Sequence, residues 1–274
     1  MRKIKLRYYT DEPNFGDELS IFIARELHDA VTGAITTRCN AVFIGSLLHC
    51  FYTEKYRYTH LAYLLSPRVT VWGAGFIEKP DLTRKKLLRR LDVRACRGSF
   101  TLASLKGSRF ARVAENVVLA DPGILAGRMI DVSGTAKRYT LGIVPHYADK
   151  GSALLANIKV GNSTVIDVQQ EPEVFMRELS ECENVISSSL HGLIAADSLN
   201  IPNTRMVLSG DISGGDYKFN DYYSAFGIDT HEKIILAQRE FTDADLPVIK
   251  TSYRIDPGKV SKMQDALLAV FPYA

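Results

Sequence analysis

The chain has 274 residues, of which 46% are hydrophobic and 24% are charged. This balance is typical of a globular protein with a packed core, arranged as one large domain or as two of about 130 residues each. The net charge of +3 at pH 7 is too small to indicate a nucleic-acid-binding surface.

The sequence also argues against secretion and against a membrane span. The N-terminal stretch MRKIKLRYY is basic but lacks the apolar segment of a signal peptide. No run approaches the roughly 20 apolar residues of a membrane helix. The four cysteines form no CxxC pair and no zinc-binding spacing, which predicts reduced thiols. We therefore expect a cytoplasmic protein, with loose attachment to the inner face of the plasma membrane as an open alternative.

The first half of the chain alternates between predicted strands and helices. The strand KIKLRYY and a polar loop lead into a helix over roughly residues 18–30, with Asn14 or Asp17 as its cap. The runs AVFIGSLL (41–48) and VTVWGAGF (69–76) have the pattern of buried parallel strands that end in small residues. DLTRKKLLRRL (81–91) has the pattern of a helix with one basic, solvated face. VVLADPGILA (117–126) closes this half with an Asp-Pro-Gly turn.

The second half repeats the alternation after a mixed segment, 127–139, that has the composition of a linker. YTLGIVPHY, STVIDVQQ and NVISSS are predicted strands, while EPEVFMRELSEC, GLIAADSLN and PGKVSKMQDALLAVF are predicted helices. Alternation throughout predicts an α/β protein with parallel sheets. We expect two domains, 1–130 and 131–274, with the last helix packing back on the first domain. A cleft between them would hold ligands at the carboxyl ends of strands.

The sharpest local signal is S-S-S-L-H-G at residues 187–192, where a strand gives way to a helix. A helix N-terminus has unsatisfied N–H groups and a partial positive charge, so it attracts phosphate or carboxylate. Ser188 and Ser189 add hydroxyl donors, Gly192 permits close approach of a ligand, and His191 can carry a proton. The plainer interpretation is a serine cap beside a packed histidine.

Other strand ends carry candidate ligand-binding residues. N-F-G-D supplies Asn14, Gly16 and Asp17 at the first helix, and P-H-Y supplies His146. Arg97 can grip a carboxylate or phosphate with two parallel hydrogen bonds, and Lys218 can act as a point charge for phosphate. The remaining candidates are surfaces for a larger ligand: Gly75 and Phe76 at a glycine-rich strand end, and Tyr222, which can stack on a sugar or pack in the core.

Several common sites are excluded by the absence of their motifs. The glycine-rich strand end lacks the full G-x-G-x-x-G pattern because position 78 is Glu, and no G-x-x-x-x-G-K-[ST] loop is present. There is no G-x-S-x-G nucleophile turn. No D-x-D pair stands at a strand end, and we predict no metal site.

Taken in order, these elements resemble the polysaccharide pyruvyl transferase family. The resemblance rests on N-F-G-D, V-W-G-A-G-F, R-G-S-F-T, A-D-P-G-I-L, P-H-Y, V-I-D-V-Q-Q, S-S-S-L-H-G-L-I-A-A-D and K-F-N-D-Y-Y. It implies two Rossmann-like domains in a GT-B-like arrangement with an interdomain cleft. The implied reaction transfers the pyruvyl group of phosphoenolpyruvate to a lipid-linked or polymeric saccharide as a cyclic ketal, without a separate cofactor.

The resemblance also implies roles for the candidate residues. His191 matches the family's motif histidine and is expected to contact the donor and supply a proton. Arg97 and Lys218 are expected to hold the donor's carboxylate or phosphate. Some family members have arginine where this chain has Ser189. The cation that binds the donor's carboxylate in this chain is therefore open, and the candidates are Arg97, Lys218 and His146.

Two other functions remain as alternatives. One is a nucleotide-sugar glycosyltransferase on the same GT-B architecture. The other is a saccharide-binding or assembly protein without catalytic activity. Binding of nucleotides would favour the first, and sugar binding without phosphate release would favour the second.

Overall fold

A computed structural model describes residues 3–10, 12–53, 66–81, 86–87, 89–208 and 214–273. Its first half contains a parallel sheet of six strands in the order β2-β1-β3-β5-β7-β8. These strands are β1 (Ile4–Arg7), β2 (Val31–Gly33), β3 (Ala41–Val42), β5 (Val69–Trp72), β7 (Leu91–Cys96) and β8 (Ala111–Leu119). β5, whose sequence VTVW is apolar apart from Thr70, is buried along its whole length, as expected of a strand inside a parallel sheet.

The second half contains a parallel sheet of five strands in the order β11-β9-β12-β13-β14. The strands are β9 (Tyr139–Val144), β11 (Ser163–Val165), β12 (Cys182–Ser187), β13 (Asn203–Val207) and β14 (Lys233–Ile235). Two short pairs complete the strands described: β4 (Tyr52–Thr53) with β6 (Lys86–Leu87), and β10 (Ile158–Lys159) with β15 (Phe241–Thr242). The prediction of an α/β protein with parallel sheets is confirmed.

Helices connect the strands of both sheets. Within the described ranges they are α1 (Phe15–Leu27), α2 (Ser99–Lys106), α3 (Ala126–Met129), α4 (Pro172–Ser180), α5 (Leu190–Ser198), α6 (Tyr217–Ser224), α7 (Leu246–Ser252) and α8 (Pro257–Ala269). α1 begins three residues earlier than predicted because Asn14 is the cap and accepts a hydrogen bond from the Asp17 N–H. α4 begins with Pro172, as predicted.

The helix predicted over 81–91 is wrong in the part of this segment that is described. Lys86–Leu87 pairs with Tyr52–Thr53 as an antiparallel strand, and Leu91 begins β7. Arg89, assigned to a solvated basic face, is 3% exposed. Its guanidinium donates to the carbonyl oxygens of Thr36, Thr37, Cys39 and Pro67, which satisfies the buried charge through distant partners.

The last helix packs against elements of the first half. Trp72 Nε1 donates to the Leu267 carbonyl at 3.1 Å, and Gln264 donates to the Ile124 carbonyl at 2.7 Å. Just beyond α8, the Tyr273 hydroxyl donates to the Asn40 carbonyl at 3.2 Å. One apolar cluster contains residues from both sheets and from α8, so burial of shared apolar surface holds the two halves against each other.

Candidate active site

A cavity of about 510 Å³ lies where the carboxyl ends of strands from both sheets meet. Loops after β1, β3 and β5 line one side, and loops after β9, β11 and β12 line the other, together with Lys218 of α6. This is the location at which open parallel sheets bind ligands, because loops and helix N-termini converge there. Of the residues predicted for the site, the cavity is lined by Asn14, Asp17, His146, Ser189, His191 and Lys218.

The three consecutive serines at the start of α5 have different environments. Ser187 Oγ lies 2.9 Å from the Val144 carbonyl and accepts the Ser189 N–H, so it closes the turn between β12 and the helix. Ser188 Oγ donates to Asp149 at 2.7 Å and accepts the His146 N–H at 2.9 Å. Ser188 therefore holds the loop that carries His146, and only Ser189 of the three lines the cavity.

His191 lies in the first turn of α5 and packs against the first turn of α1. A Cβ added to Gly16 would stand 1.9 Å from His191 Nδ1 and 2.4 Å from Cγ, so glycine is required for this approach. On the opposite edge of the ring, Nε2 lies 3.9 Å from Asp121 Oδ2. The side chain keeps 15% exposure, which opens onto the cavity. Gly16 thus serves the site through His191 rather than by lining it.

Of the predicted residues that line the cavity, Asp17 is the acidic one, and it is 8% exposed. Burial raises its pKa to about 6, although the nearby His191 and the hydrogen bond from Asn14 oppose that rise. Asn14 both caps α1 and holds this carboxyl group through its side-chain amide. Asp17 therefore changes charge close to neutral pH.

Lys218 and His146 face the same cavity from the second half of the chain. Burial, assisted by Arg97 and Arg205, lowers the pKa of Lys218 to about 8, so the ammonium is charged at neutral pH. Burial and the charge of Lys218 lower the pKa of His146 to about 4. His146 Nδ1 accepts the Ala148 N–H at 3.2 Å, which leaves the proton of the neutral ring on Nε2. Lys218 therefore offers the cavity a positive charge, and His146 offers an uncharged hydrogen-bond donor.

Arg97 does not line the cavity and is completely buried. Its Nε donates to Asp221 at 2.9 Å, one terminal nitrogen donates to Ser46 Oγ at 2.8 Å, and the other donates to the Phe76 carbonyl. A Cβ at Gly75 would lie 2.5 Å from the guanidinium carbon, so this glycine makes room for the arginine. Because Ser46 lines the cavity, Arg97 acts on the site through that hydroxyl.

Three further predicted residues also lie outside the cavity lining. The Tyr222 hydroxyl donates to the buried Asp197 at 2.7 Å, and the ring has no exposed surface. Phe76 is 1% exposed and contacts the ring of Tyr52. Gly192 is close to β9 and β12, since a Cβ there would lie 2.5 Å from Ser187 Oγ and 2.8 Å from Val144. These positions serve packing, and the sequence motif alone does not separate packing from ligand contact.

The sequence reasoning missed several residues of the cavity. Arg7, Tyr9, Ser46, His49 and Cys50 all line it. Cys50 Sγ lies 3.7 Å from His49 Nε2. Burial would raise the pKa of the Cys50 thiol, but the contacts with His49 and Arg7 outweigh it and lower that pKa. Arg7, Tyr9 and Ser46 stand at or just after predicted strand ends, which is the one sequence signal that points to them.

Asp121 was also missed, because D-P-G reads as an ordinary turn. The residue caps a short 3₁₀ turn (Pro122–Leu125) and accepts the Gly123 N–H at 2.9 Å through Oδ1.

No cluster of three or more His, Cys, Asp or Glu side chains suited to a metal ion occurs among the residues described. In the same part of the chain, no helix combines the length and the apolar character needed to cross a membrane.

The fold and the site define an α/β protein with a polar, cation-containing cavity at converging strand ends, a class suited to small anionic ligands. Residues 9–207 match the sequence model of the polysaccharide pyruvyl transferase family, which is most of the chain. The chain belongs to this family.

Two relatives show how far the similarity extends. The uncharacterized protein L143 of Acanthamoeba polyphaga mimivirus is 30% identical over 240 residues, which cover 83% of this chain and 76% of L143. The succinoglycan biosynthesis protein ExoV of Rhizobium meliloti (strain 1021) is 26% identical over 217 residues, which cover 78% of this chain and 62% of ExoV. The matches support a role in the transfer of pyruvyl groups during polysaccharide biosynthesis.

Proposed function

We propose that the protein transfers the pyruvyl group of phosphoenolpyruvate to two hydroxyls of a saccharide, forming a cyclic ketal and releasing phosphate. The acceptor would be a lipid-linked or polymeric saccharide, and no cofactor beyond the donor would be needed. The observation that carries the proposal is the meeting of His191 and Lys218 in one cavity, from different helices, in a chain of this family.

The chemistry sets clear demands on the site. Protonation of the donor methylene generates a methyl group and an oxocarbenium-like carbon, which the first sugar hydroxyl attacks. Loss of phosphate and attack by the second hydroxyl close the ketal, so the two hydroxyl protons are divided between the new methyl group and the departing phosphate. The site must therefore supply a positioned acid and stabilise phosphate and carboxylate charge.

The described residues meet these demands in distinct ways. Lys218 supplies a charged donor for the phosphate or carboxylate, and the N-terminal turn of α5 adds N–H groups and the Ser189 hydroxyl. His191 supplies the proton for the methylene. Neutral His146 donates a hydrogen bond without adding charge. Arg97 holds Ser46 at the cavity wall, a positioning role in place of direct donor contact.

Asp17 suits the acceptor better than the donor. A carboxylate beside the trianionic donor would be repelled, whereas a sugar hydroxyl needs a base that accepts its proton. The pKa of about 6 makes Asp17 ionised, and only weakly basic, above that pH. The volume of about 510 Å³ admits both the small donor and one sugar ring, since drug-sized ligands occupy pockets of about 300–1,000 Å³.

We also propose a two-domain arrangement and a location at the membrane. Residues 1–130 and 131–274 would form two Rossmann-like domains in a GT-B-like arrangement, with the cavity as the cleft between them. A lipid-linked acceptor would bring a cytoplasmic enzyme to the inner face of the plasma membrane.

The direct test is to incubate the protein with phosphoenolpyruvate and a panel of lipid-linked and aryl glycosides. Phosphate release and the mass of the pyruvylated saccharide are then measured together. His191→Ala should abolish both while the melting temperature stays near that of the wild type. Wild-type turnover in this variant would remove His191 from the mechanism.

Ligand-induced stabilisation separates the alternatives. Phosphoenolpyruvate should raise the melting temperature, because a ligand that binds only the folded state stabilises it. Stabilisation by uridine or guanosine diphosphate sugars, with none by phosphoenolpyruvate, would instead identify a glycosyltransferase. Stabilisation by saccharide alone, without phosphate release, would indicate a binding protein.

A further inference from the structure

Two buried polar atoms face each other at the edge of the cavity without a hydrogen bond. His191 Nε2 and Asp121 Oδ2 are both enclosed, and neither has a hydrogen-bond partner among the residues that the structure describes. They are 3.9 Å apart. A buried polar atom without a partner is costly, so a pair that needs only about 1 Å of movement to form a charge-assisted hydrogen bond is not an accident of packing.

The position of Asp121 is fixed by its other oxygen. Oδ1 accepts the Gly123 N–H, and the residue has no exposed surface. Pro122 packs against the backbone of Gly73, where a Cβ would lie 2.0 Å from the proline ring and where φ is +106°. The carboxyl group is therefore held by its own turn and by the residue that follows β5, with Oδ2 left to point at the imidazole.

The ring of His191 is oriented by its neighbours. The Nδ1 edge lies over Gly16 and the Nε2 edge lies toward Asp121. Nε2 is buried, so the 15% of the side chain that stays exposed belongs to other atoms of His191. The titratable groups that act on the ring are Asp121 after β8, Asp17 on α1 and His146 after β9.

We propose that Asp121 is a positioning residue that accepts the Nε2–H of His191, so that Nδ1 is the nitrogen that handles the reacting proton. This inference rests on the proposed function for the identity of the reaction. In the proton-transfer step the Nδ1–H bond breaks, the π electrons of the methylene form the new C–H bond, and His191 is left neutral with its proton on Nε2. Attack by the acceptor hydroxyl frees a proton that restores the imidazolium.

Asp121→Asn tests this role with little disturbance. The amide oxygen can keep the bond from Gly123 N–H, while the oxygen that faces the imidazole becomes an uncharged NH₂ donor. Asp131→Asn is the matched control, because Asp131 accepts the Ser133 N–H at 2.9 Å in the same type of turn but is exposed and does not line the cavity.

The first readout is nitrogen NMR of protein labelled at its six histidines, with His191→Gln to assign the signal. In the wild type the neutral ring should carry its proton on Nε2. In Asp121→Asn the proton of the neutral ring should move to Nδ1, because the new NH₂ group donates to Nε2. Asp131→Asn should match the wild type. A wild-type ring protonated on Nδ1, or an Nε2 proton retained in Asp121→Asn, would overturn the inference.

The second readout is catalytic. For Asp121→Asn, kcat should fall by about 10²–10⁴-fold, as expected when a histidine loses the carboxylate that sets its tautomer, while KM for phosphoenolpyruvate changes less than about threefold. An equal loss in Asp131→Asn would contradict the role. The NMR result does not depend on the substrate, so an enzyme that proves inactive with phosphoenolpyruvate would refute the proposed function and leave the pair intact.

Discussion

The ring of His191 packs so closely on Gly16 that no side chain fits between them, and Gly16→Ala tests this contact. The new Cβ would lie 1.9 Å from Nδ1, 2.4 Å from Cγ and 2.6 Å from Cε1 of the ring. Since carbon contacts are comfortable only beyond about 3.5 Å, the ring or the helix must shift by about 1.5 Å. A displacement of that size in a catalytic group costs on the order of 10²-fold in rate.

We expect kcat/KM for phosphate release to fall by about 10²-fold or more in Gly16→Ala. Stability should change less than activity, because alanine favours the helix by about 0.5–1 kcal/mol while overpacking costs about 1–3 kcal/mol. Urea unfolding measures the balance. In a His191→Ala background the clash is absent, so the same substitution should become neutral or stabilising, which a double-mutant cycle detects.

Gly258→Ala is the matched control for this prediction. Gly258 also occupies the second position of a helix that follows an Asx cap, and a Cβ there meets only Asp256 Oδ1, at 3.1 Å. It should leave activity unchanged. Wild-type kcat/KM in Gly16→Ala would show that the imidazole does not lie against this turn.

Three further predictions concern the cationic and thiol groups. Because the pKa of Lys218 is about 8, its charge is present below that pH and lost above it, so KM for phosphoenolpyruvate should rise above pH 8. Lys218→Met should raise that KM by about 10- to 100-fold at pH 7. Arg97→Met should lower the free energy of unfolding by about 3–5 kcal/mol in urea titrations, because Asp221 is left as an unpaired buried charge. Iodoacetamide should modify Cys50 before Cys39, because burial raises the pKa of the Cys39 thiol to about 11. Phosphoenolpyruvate should protect Cys50 from this modification. Mass spectrometry of partly alkylated protein measures both effects.

The local parts of the fold were predictable from the sequence because their signals are local. The polar turn S-S-S-L-H-G does connect β12 to α5, and Asn14 does cap α1, since a strand period, a cap and a helix start are all set within a few residues. The predicted placement of His191, Asp17 and His146 near one another followed from the rule that parallel strands end at the same edge.

Three side chains have partners far away in the chain that local sequence patterns do not reveal. The sequence around Arg89 indicates a surface residue, but in the fold its guanidinium donates to the carbonyls of residues 36, 37, 39 and 67. Arg97 looks like a ligand-binding arginine until Asp221, 124 residues later, takes its Nε. Tyr222 is occupied by Asp197 in the same way. Nothing near these residues in the sequence announces the partner, so pattern reasoning cannot separate a buried ion pair from a binding group.

The proposed transfer of a proton to the donor methylene can be followed in heavy water. The protein is incubated in D₂O with phosphoenolpyruvate and an accepted glycoside, and the product is analysed by proton and carbon NMR. We expect a saccharide ketal whose methyl group carries one deuterium, formed in step with phosphate release and absent with His191→Ala. Recovery of the saccharide without a ketal would contradict the proposed reaction. Formation of the ketal by His191→Ala at the wild-type rate would contradict the role of His191.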